Sequence, residues 1–331
     1  MTQAFGSTRF EQHVRSQPDE LERVLTDPAV KQQAHAAAEG MHRVRRIWVV
    51  GTGSSQHVAA LGAAMLQDAG RSAHAVSSMQ FVRNAPIVGG SDGVIVVSHT
   101  GETAYAMAAR ALAFSAGLHT VTIARRGIGM NDVVETVERE SSQTSSIGYT
   151  ASLLAFAMIA SQMGADSLTP DKLSLVPGSV RNAIEASGTE QIPLPARSLS
   201  LVGAGPAAVT AAEGALKIRE AARILASGYD AEYFLHGSVV PLQAQDHIVA
   251  LTSPDEDGFV EALAKTAETS GIGVSRLAEP SPLPVLLAQI PLAVRLQMLA
   301  LRYATARGTD PDTIVTGRWS DGALWSIGAP A

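Results

Sequence analysis

The feature that most narrows the possible fold is a strand that stops at a glycine turn and runs straight into a helix. Ile47-Trp48-Val49-Val50 is a short apolar run rich in β-branched residues. It ends at Gly51-Thr52-Gly53-Ser54-Ser55, and an alanine-rich stretch with helical spacing follows from Gln56 to Ala69. Val94-Ile95-Val96-Val97 repeats the pattern, ending at Ser98-His99-Thr100-Gly101-Glu102-Thr103 before an alanine-rich helix through Ala116. Thr120 to Ala124 starts a third unit. Apolar strands alternating with helices predict a parallel sheet covered by helices on both faces.

The same order returns later in the chain. Leu199 to Val202 leads into Gly203-Ala204-Gly205-Pro206, a long helix covers Ala207 to Leu225, a turn falls at Ser227-Gly228, and His247 to Leu251 forms a strand. This predicts a tandem duplication of one doubly wound α/β domain. Residues 1–40 are expected to be a helical leader, 41–166 the first domain, 167–197 a linker rich in Pro, Ser and Gly, and 198–331 the second domain with a C-terminal tail. The second copy has Asp255, Glu256 and Asp257 where the first has Ser and Thr, and an acidic loop repels a phosphate. The anion-binding turns are therefore expected in the first copy.

Composition then removes whole classes of chemistry. At 331 residues the chain is about twice a typical domain length, enough for two cores. A net charge of −6, with no basic stripe, disfavours nucleic acid as partner. No cysteine is present, which excludes thiolate nucleophiles, thiolate zinc sites, iron–sulfur clusters and disulfides. The first 20 residues lack the apolar core of a secretory signal, and no uninterrupted apolar run reaches about 18 residues, so a cytoplasmic protein without membrane attachment is expected.

In open α/β sheets ligands sit beyond the carboxyl ends of the strands, where helix-start amides favour anions. Gly51 and Gly53 let the backbone approach closely, and Ser54, Ser55, Ser98, Thr100 and Thr103 can each donate a hydrogen bond without adding charge. Such a cluster suits a phosphate monoester, whereas simple helix capping would need fewer hydroxyls. Gly51-x-Gly53 and Gly203-x-Gly205-x-x-Ala208 also resemble a dinucleotide fingerprint, but after Gly51 the next strand end is Ser77-Ser78 and after Gly205 the chain is expected to stay helical through Leu225, so no dinucleotide cofactor is expected. Glu213, Lys217 and Glu220 fall on one narrow face of a helix, and Leu235-His236-Gly237 follows downstream. Spacing alone leaves that face equally open to a solvated salt-bridge ladder and to a ligand site.

Those residues together resemble the SIS (sugar isomerase) domain family, specifically the isomerase portion of glucosamine-6-phosphate synthase, the fructosamine deglycases and the amino-sugar phosphate deaminases. The resemblance covers nearly the whole chain. Glu11 to Leu25 is similar to the family's leader helix, with Gln17-Pro18. Residues 51–55 and 98–103 resemble its two phosphate loops, and 140–153 a segment of form E-x-x-x-A-x-T-K-x-F/Y-T. The most specific match is Glu213-Gly214-Ala215-Leu216-Lys217-Ile218-Arg219-Glu220 paired with His236-Gly237.

The resemblance implies two tandem SIS domains and a homodimer with a shared site that binds a sugar phosphate and uses neither cofactor nor metal. It implies Glu220 as the base moving a proton between C1 and C2, and His236 as the ring-opening histidine reaching in from the partner subunit. Lys217 and Glu213 accompany them. Gly53, Ser54, Ser55, Ser98, His99, Thr100 and Thr103 are implied to hold the phosphate, with Ser145 near the sugar.

Three departures mark this chain. It lacks the synthase's glutamine-hydrolysing cysteine, so ammonia from glutamine is not expected to be used. Its tail begins as Gly308-Thr309-Asp310-Pro311-Asp312 but carries no lysine. Ile147 replaces the lysine of the middle segment, and His99 a more usual glutamine. The expectation is a phosphosugar isomerase, deaminase or deglycase, all three sharing the C1/C2 step. The alternative is a non-catalytic phosphosugar sensor.

Overall fold

The computed structural model of the protein describes residues 7–84, 88–252, 258–321 and 323. These form two compact units. One takes residues 19–140, 147–174 and 315–323, and the other 7–18, 141–146 and 175–314.

The first unit holds a five-stranded parallel sheet. Its strands are β1 (Arg46–Gly51), β2 (Ala73–Ser77), β3 (Asp92–Val97), β4 (His119–Ala124) and β5 (Val133–Glu135), in the order β2-β1-β3-β4-β5. Every residue of β3 is buried, as expected of a central parallel strand packed on both faces. Its helices are α2 (Pro28–His42), α3 (Ser54–Asp68), α4 (Ser78–Arg83), α5 (Ala104–Ser115), α6 (Ile147–Gln162) and α7 (Pro170–Ser174). Val50, Val94 and Val96 pack with Phe81 of α4 and Ala106, Ala109 and Ala113 of α5. Strand alternation sends Ile47, Val49 and Ile95 to the opposite face, where α3 lies over β1 and β2 and packs on α6.

The second unit repeats the plan with four parallel strands. They are β6 (Leu199–Gly203), β7 (Ala226–Asp230), β8 (His247–Thr252) and β9 (Gly273–Ala278), in the order β7-β6-β8-β9. Its helices are α8 (Val176–Glu185), α9 (Pro206–Ala222), the single turn α10 (Ala231–Tyr233), α11 (Phe259–Thr269) and α12 (Val285–Arg307). The repeat extends to backbone detail: Gly53 before α3 has φ 57 and ψ −134, and Gly205 before α9 has φ 52 and ψ −128. A doubly wound α/β fold in two tandem copies is thus what the chain adopts. By length and composition α12 could cross a membrane, but it is mostly buried within the protein, which accounts for its apolarity.

The chain is shared between the units differently from a leader, a domain, a linker and a domain. The helix α1 (Arg9–Thr26) gives residues up to Pro18 to the second unit and the rest to the first. Residues 141–146 belong to the second unit, because Ser142 and Thr144 hydroxyls donate to Pro311 O and Gln143 N–H donates to Asp312 O. The stretch 167–197 contains α7 and α8 and is not an extended linker. The Asp255–Asp257 loop lies outside the described residues.

Two further differences have local causes. Helix α9 ends at Ala222 rather than Leu225, because Arg223 adopts the left-handed conformation that closes a helix. Ser227-Gly228 is not a turn but part of β7, where α9 crosses so closely that a Cβ on Gly228 would sit 2.3 Å from Ala212 N. Gly228→Ala is therefore expected to lower stability by about 1–3 kcal/mol in urea unfolding. Gly178→Ala, at an exposed position of α8 with open space around it, should leave stability unchanged or raise it.

Candidate active site

In the first unit two hydroxyl-rich turns follow the carboxyl ends of the neighbouring interior strands β1 and β3. Gly51 closes β1 so near the start of α3 that a Cβ there would meet Ser55 O at 2.2 Å. No side chain caps α3, and none caps α5 behind Thr103. Elsewhere capping is ordinary: Ser77 Oγ accepts from Gln80 N, and Asp27 from Ala29 N. The hydroxyls at the ends of β1 and β3 are thus not spent as side-chain caps, although in α3 the Ser55 and Gln56 N–H groups donate to Thr52 O and Gly53 O.

Individual positions differ. Gly53 and Thr103 are exposed, and Ser54, Ser55, His99 and Thr100 are half-buried. Ser98 is buried, and its Oγ has no hydrogen-bond partner among the described residues, a state that costs about 1–3 kcal/mol unless a ligand completes it. Thr100 Oγ1 accepts from Glu102 N–H at 3.2 Å and holds the loop turn. His99 Nε2 accepts the Glu140 N–H at 3.3 Å, so this nitrogen is the unprotonated one. Glu102 would add a repelling charge beside a phosphate, but it is paired at both oxygens with Arg139, 2.6 and 2.9 Å away. That hydrogen-bonded pair also holds the Glu102 carboxyl below its ordinary pKa.

The second unit carries the titratable cluster. Helix α9 is held rigidly: Gly214 lets Leu296 of α12 come so close that a Cβ would lie 2.4 Å from it, and β7 touches the backbone at Ala211 and Ala212. On its buried face, Lys217 Nζ sits 2.5 Å from Glu220 Oε2 and 3.6 Å from Glu213 Oε1. Lys217 and Glu213 side chains are 1% exposed and Glu220 is 20% exposed, so Glu220 is the member that keeps contact with the outside. A solvated salt-bridge ladder is ruled out by that burial. Burial pushes the Glu220 carboxyl above its ordinary value near 4.5, against the opposing charge and hydrogen bond of Lys217 and with help from Glu213. A carboxylate of raised pKa with one accessible edge suits a general base.

Ser145 lies half-buried in the 141–146 segment, in the same unit as α9 rather than with the two turns. That segment packs on residues 309–314, where Ile314 N–H donates to Gln143 Oε1. Residues 309–314 in turn reach the end of α9, since Thr309 Oγ1 donates to Ala221 O at 2.8 Å. Ser145's segment, the root of the tail and the Glu220 helix are thus one assembly. His236 is not brought into it. It stands exposed on a π-turn (Phe234–Ser238) before Gly237 at φ 124, and among the described residues no hydrogen bond or ion pair joins it to the cluster. The tail root is visible in the sequence through resemblance, but its contacts are not, and Arg223 carries no signal, because helix-end dihedrals leave no residue pattern.

No group of three or more His, Cys, Asp or Glu among the described residues is arranged to hold a metal ion.

Ser98→Ala should raise the melting temperature slightly, because it deletes an orphaned hydroxyl, and should weaken inorganic phosphate binding about tenfold in calorimetric titration.

Comparison with known proteins fits this geometry. Residues 40–130 match the SIS domain family. The chain is 27% identical over 308 residues to the glutamine–fructose-6-phosphate aminotransferase (isomerizing) of Gloeobacter violaceus, covering 81% of this chain and 50% of that protein. The chain therefore spans about half the length of the curated relatives it matches. Among solved structures, glucosamine-6-phosphate deaminase from Thermotoga maritima superposes with TM-score 0.77 at 18% identity, covering 92% of this chain and 97% of that one. The C-terminal domain of glucosamine-fructose-6-phosphate aminotransferase from Francisella tularensis gives 0.74 at 17% identity, covering 95% and 99%. Residues 40–130 thus match the SIS domain, the chain is similar to glutamine–fructose-6-phosphate aminotransferases over about half their length, and it shares its fold with glucosamine-6-phosphate deaminase.

Proposed function

We propose that the protein catalyses proton transfer between C1 and C2 of a ketose or amino-sugar 6-phosphate, as an isomerase, deaminase or deglycase. The observation that carries this reading is Glu220: a partly accessible carboxylate with raised proton affinity, hydrogen-bonded to a buried ammonium. Glu220 removes the proton next to the open-chain carbonyl, leaving an enediolate or enamine, and returns it to the neighbouring carbon. Lys217 stabilises the negative charge that develops, and Glu213 keeps Lys217 charged inside the fold. Such a step moves only a proton and calls for no redox cofactor.

The turns holding Gly53, Ser54, Ser55, Ser98, His99, Thr100 and Thr103 bind the phosphate, and that remote binding energy holds C1 and C2 against the base. Ser145 contacts the sugar. His236 assists ring opening from a second copy of the chain in a homodimer. The exposure of Tyr233, Leu235 and Val240 around it supports this, since an apolar patch of that kind favours being covered. The relatives' names place fructose 6-phosphate and glucosamine 6-phosphate first among substrates to try.

A second reading, a phosphosugar sensor without turnover, rests on the absence of any lysine after Lys265. The two separate in deuterated water. Incubation with fructose 6-phosphate or glucosamine 6-phosphate is expected to place label at C1 or C2, and Glu220→Gln to abolish it. Tight binding without label across a panel of sugar 6-phosphates would favour the sensor.

The pH dependence follows from the direction of the shift. Activity requires the ionised carboxylate, so exchange should rise with pH along an acid limb lying above pH 4.5. A raised folded-state pKa means that this group's contribution to stability is present at low pH and lost as pH climbs through the raised value. Glu220→Gln should therefore melt no lower than wild type at neutral pH, with the difference vanishing in acid.

A further inference from the structure

Arg223 is one of two non-glycine residues in the left-handed region among the described positions, at φ 54 and ψ 41, where it closes α9. That conformation costs an L-residue about 1–2 kcal/mol, and helices usually give the position to glycine. A basic side chain near a helix C-terminus complements the dipole, but Arg219 already stands in the last turn, so the dipole does not call for arginine at the strained position. What Arg223 adds is a contact: its Nη2 donates to Thr313 O at 3.0 Å.

Thr313 belongs to the stretch 309–314 that lies between the end of α9 and the segment carrying Ser145. Thr309 Oγ1 ties its start to Ala221 O, and Asp312 accepts Arg9 N–H and Phe10 N–H, each at 2.8 Å. Gln143 ties its end through Ile314 N–H. Among these ties, Arg223 is the one that reaches from α9's terminus to the middle of the stretch, one helical turn beyond Glu220.

We propose that Arg223 is a positioning residue, a strap that fixes the C-terminal segment over the end of α9 and so sets the wall of the sugar site beside Glu220. The assignment rests on the proposed function. The placement of residues 309–314 depends on hydrogen bonds such as this one, from a side chain to a backbone carbonyl.

The test compares Arg223→Gly and Arg223→Lys with wild type in the full chain. Arg223→Gly relieves the backbone and removes the strap, so it should melt at or above wild type while the amides of residues 312–314 exchange hydrogen about tenfold faster, the worth of roughly one hydrogen bond. In the C1/C2 exchange assay with fructose 6-phosphate, KM should rise about tenfold with kcat within about twofold, and Arg223→Lys should recover most of the loss. Wild-type amide exchange in Arg223→Gly, or an unchanged KM, would overturn the assignment. Should wild type turn nothing over, the functional reading fails, and the amide exchange still decides the strap.

Discussion

The ammonium of Lys217, enclosed between two carboxylates on its own helix, is the interaction on which the rest depends. An isolated ion taken out of water costs several kcal/mol, so neither Lys217 nor Glu213 is tolerable at 1% exposure without the other. Their pairing leaves Glu220 as the surplus charge, and burial then raises its affinity for a proton. This works only on a helix that cannot drift. Gly214 against α12 and Gly228 against the α9 backbone supply that immobility by bringing atoms closer than any side chain would permit.

On the proposed function, the duplication separates two tasks that a single domain would have to combine. Both copies retain the same glycine geometry before their first helix, with Gly53 and Gly205 nearly superimposable in φ and ψ. Around Gly53 the sequence keeps hydroxyls and an uncapped helix start, which favours anions. Around Gly205 it substitutes alanine and Pro206, and the chemistry moves along α9 to its far end. The tail root, 141–146 and the terminus of α9 are bound to one another mainly by side chains reaching backbone groups, so this wall depends on Ser142, Gln143, Thr144, Thr309 and Arg223.

Much of the fold was legible because central parallel strands must be apolar on both faces: β1, β3, β6 and β8 stand out as continuous runs. The outer strands β2, β7 and β9 mix polar and small residues, because one side of each is left half-covered, and they read as turns or not at all. Gly228 is instructive, since a residue that usually punctuates a chain here sits inside a strand to admit a crossing helix. The 141–146 segment could not be assigned from its sequence, because what holds it is hydrogen bonding to carbonyls some 170 residues away.

The candidate site was legible in a similar proportion. Three-and-four spacing put Glu213, Lys217 and Glu220 on one face, but only the structure decides that the face is buried. The Ser and Thr turns were visible as composition, whereas their lack of side-chain capping was not. His236 stood out beside a glycine but took its role from resemblance alone, and Arg223 had no signal, since nothing in a sequence marks an arginine with positive φ.

The central proposal is that Glu220 is the base that acts on a bound sugar 6-phosphate. A crystal structure of the protein with an open-chain sugar 6-phosphate analogue tests it most directly. The account predicts phosphate oxygens hydrogen-bonded within residues 51–55 and 98–103, and C1 or C2 about 3–3.5 Å from a Glu220 oxygen. Phosphate bound there with its carbon chain directed away from every copy of Glu220 would contradict it.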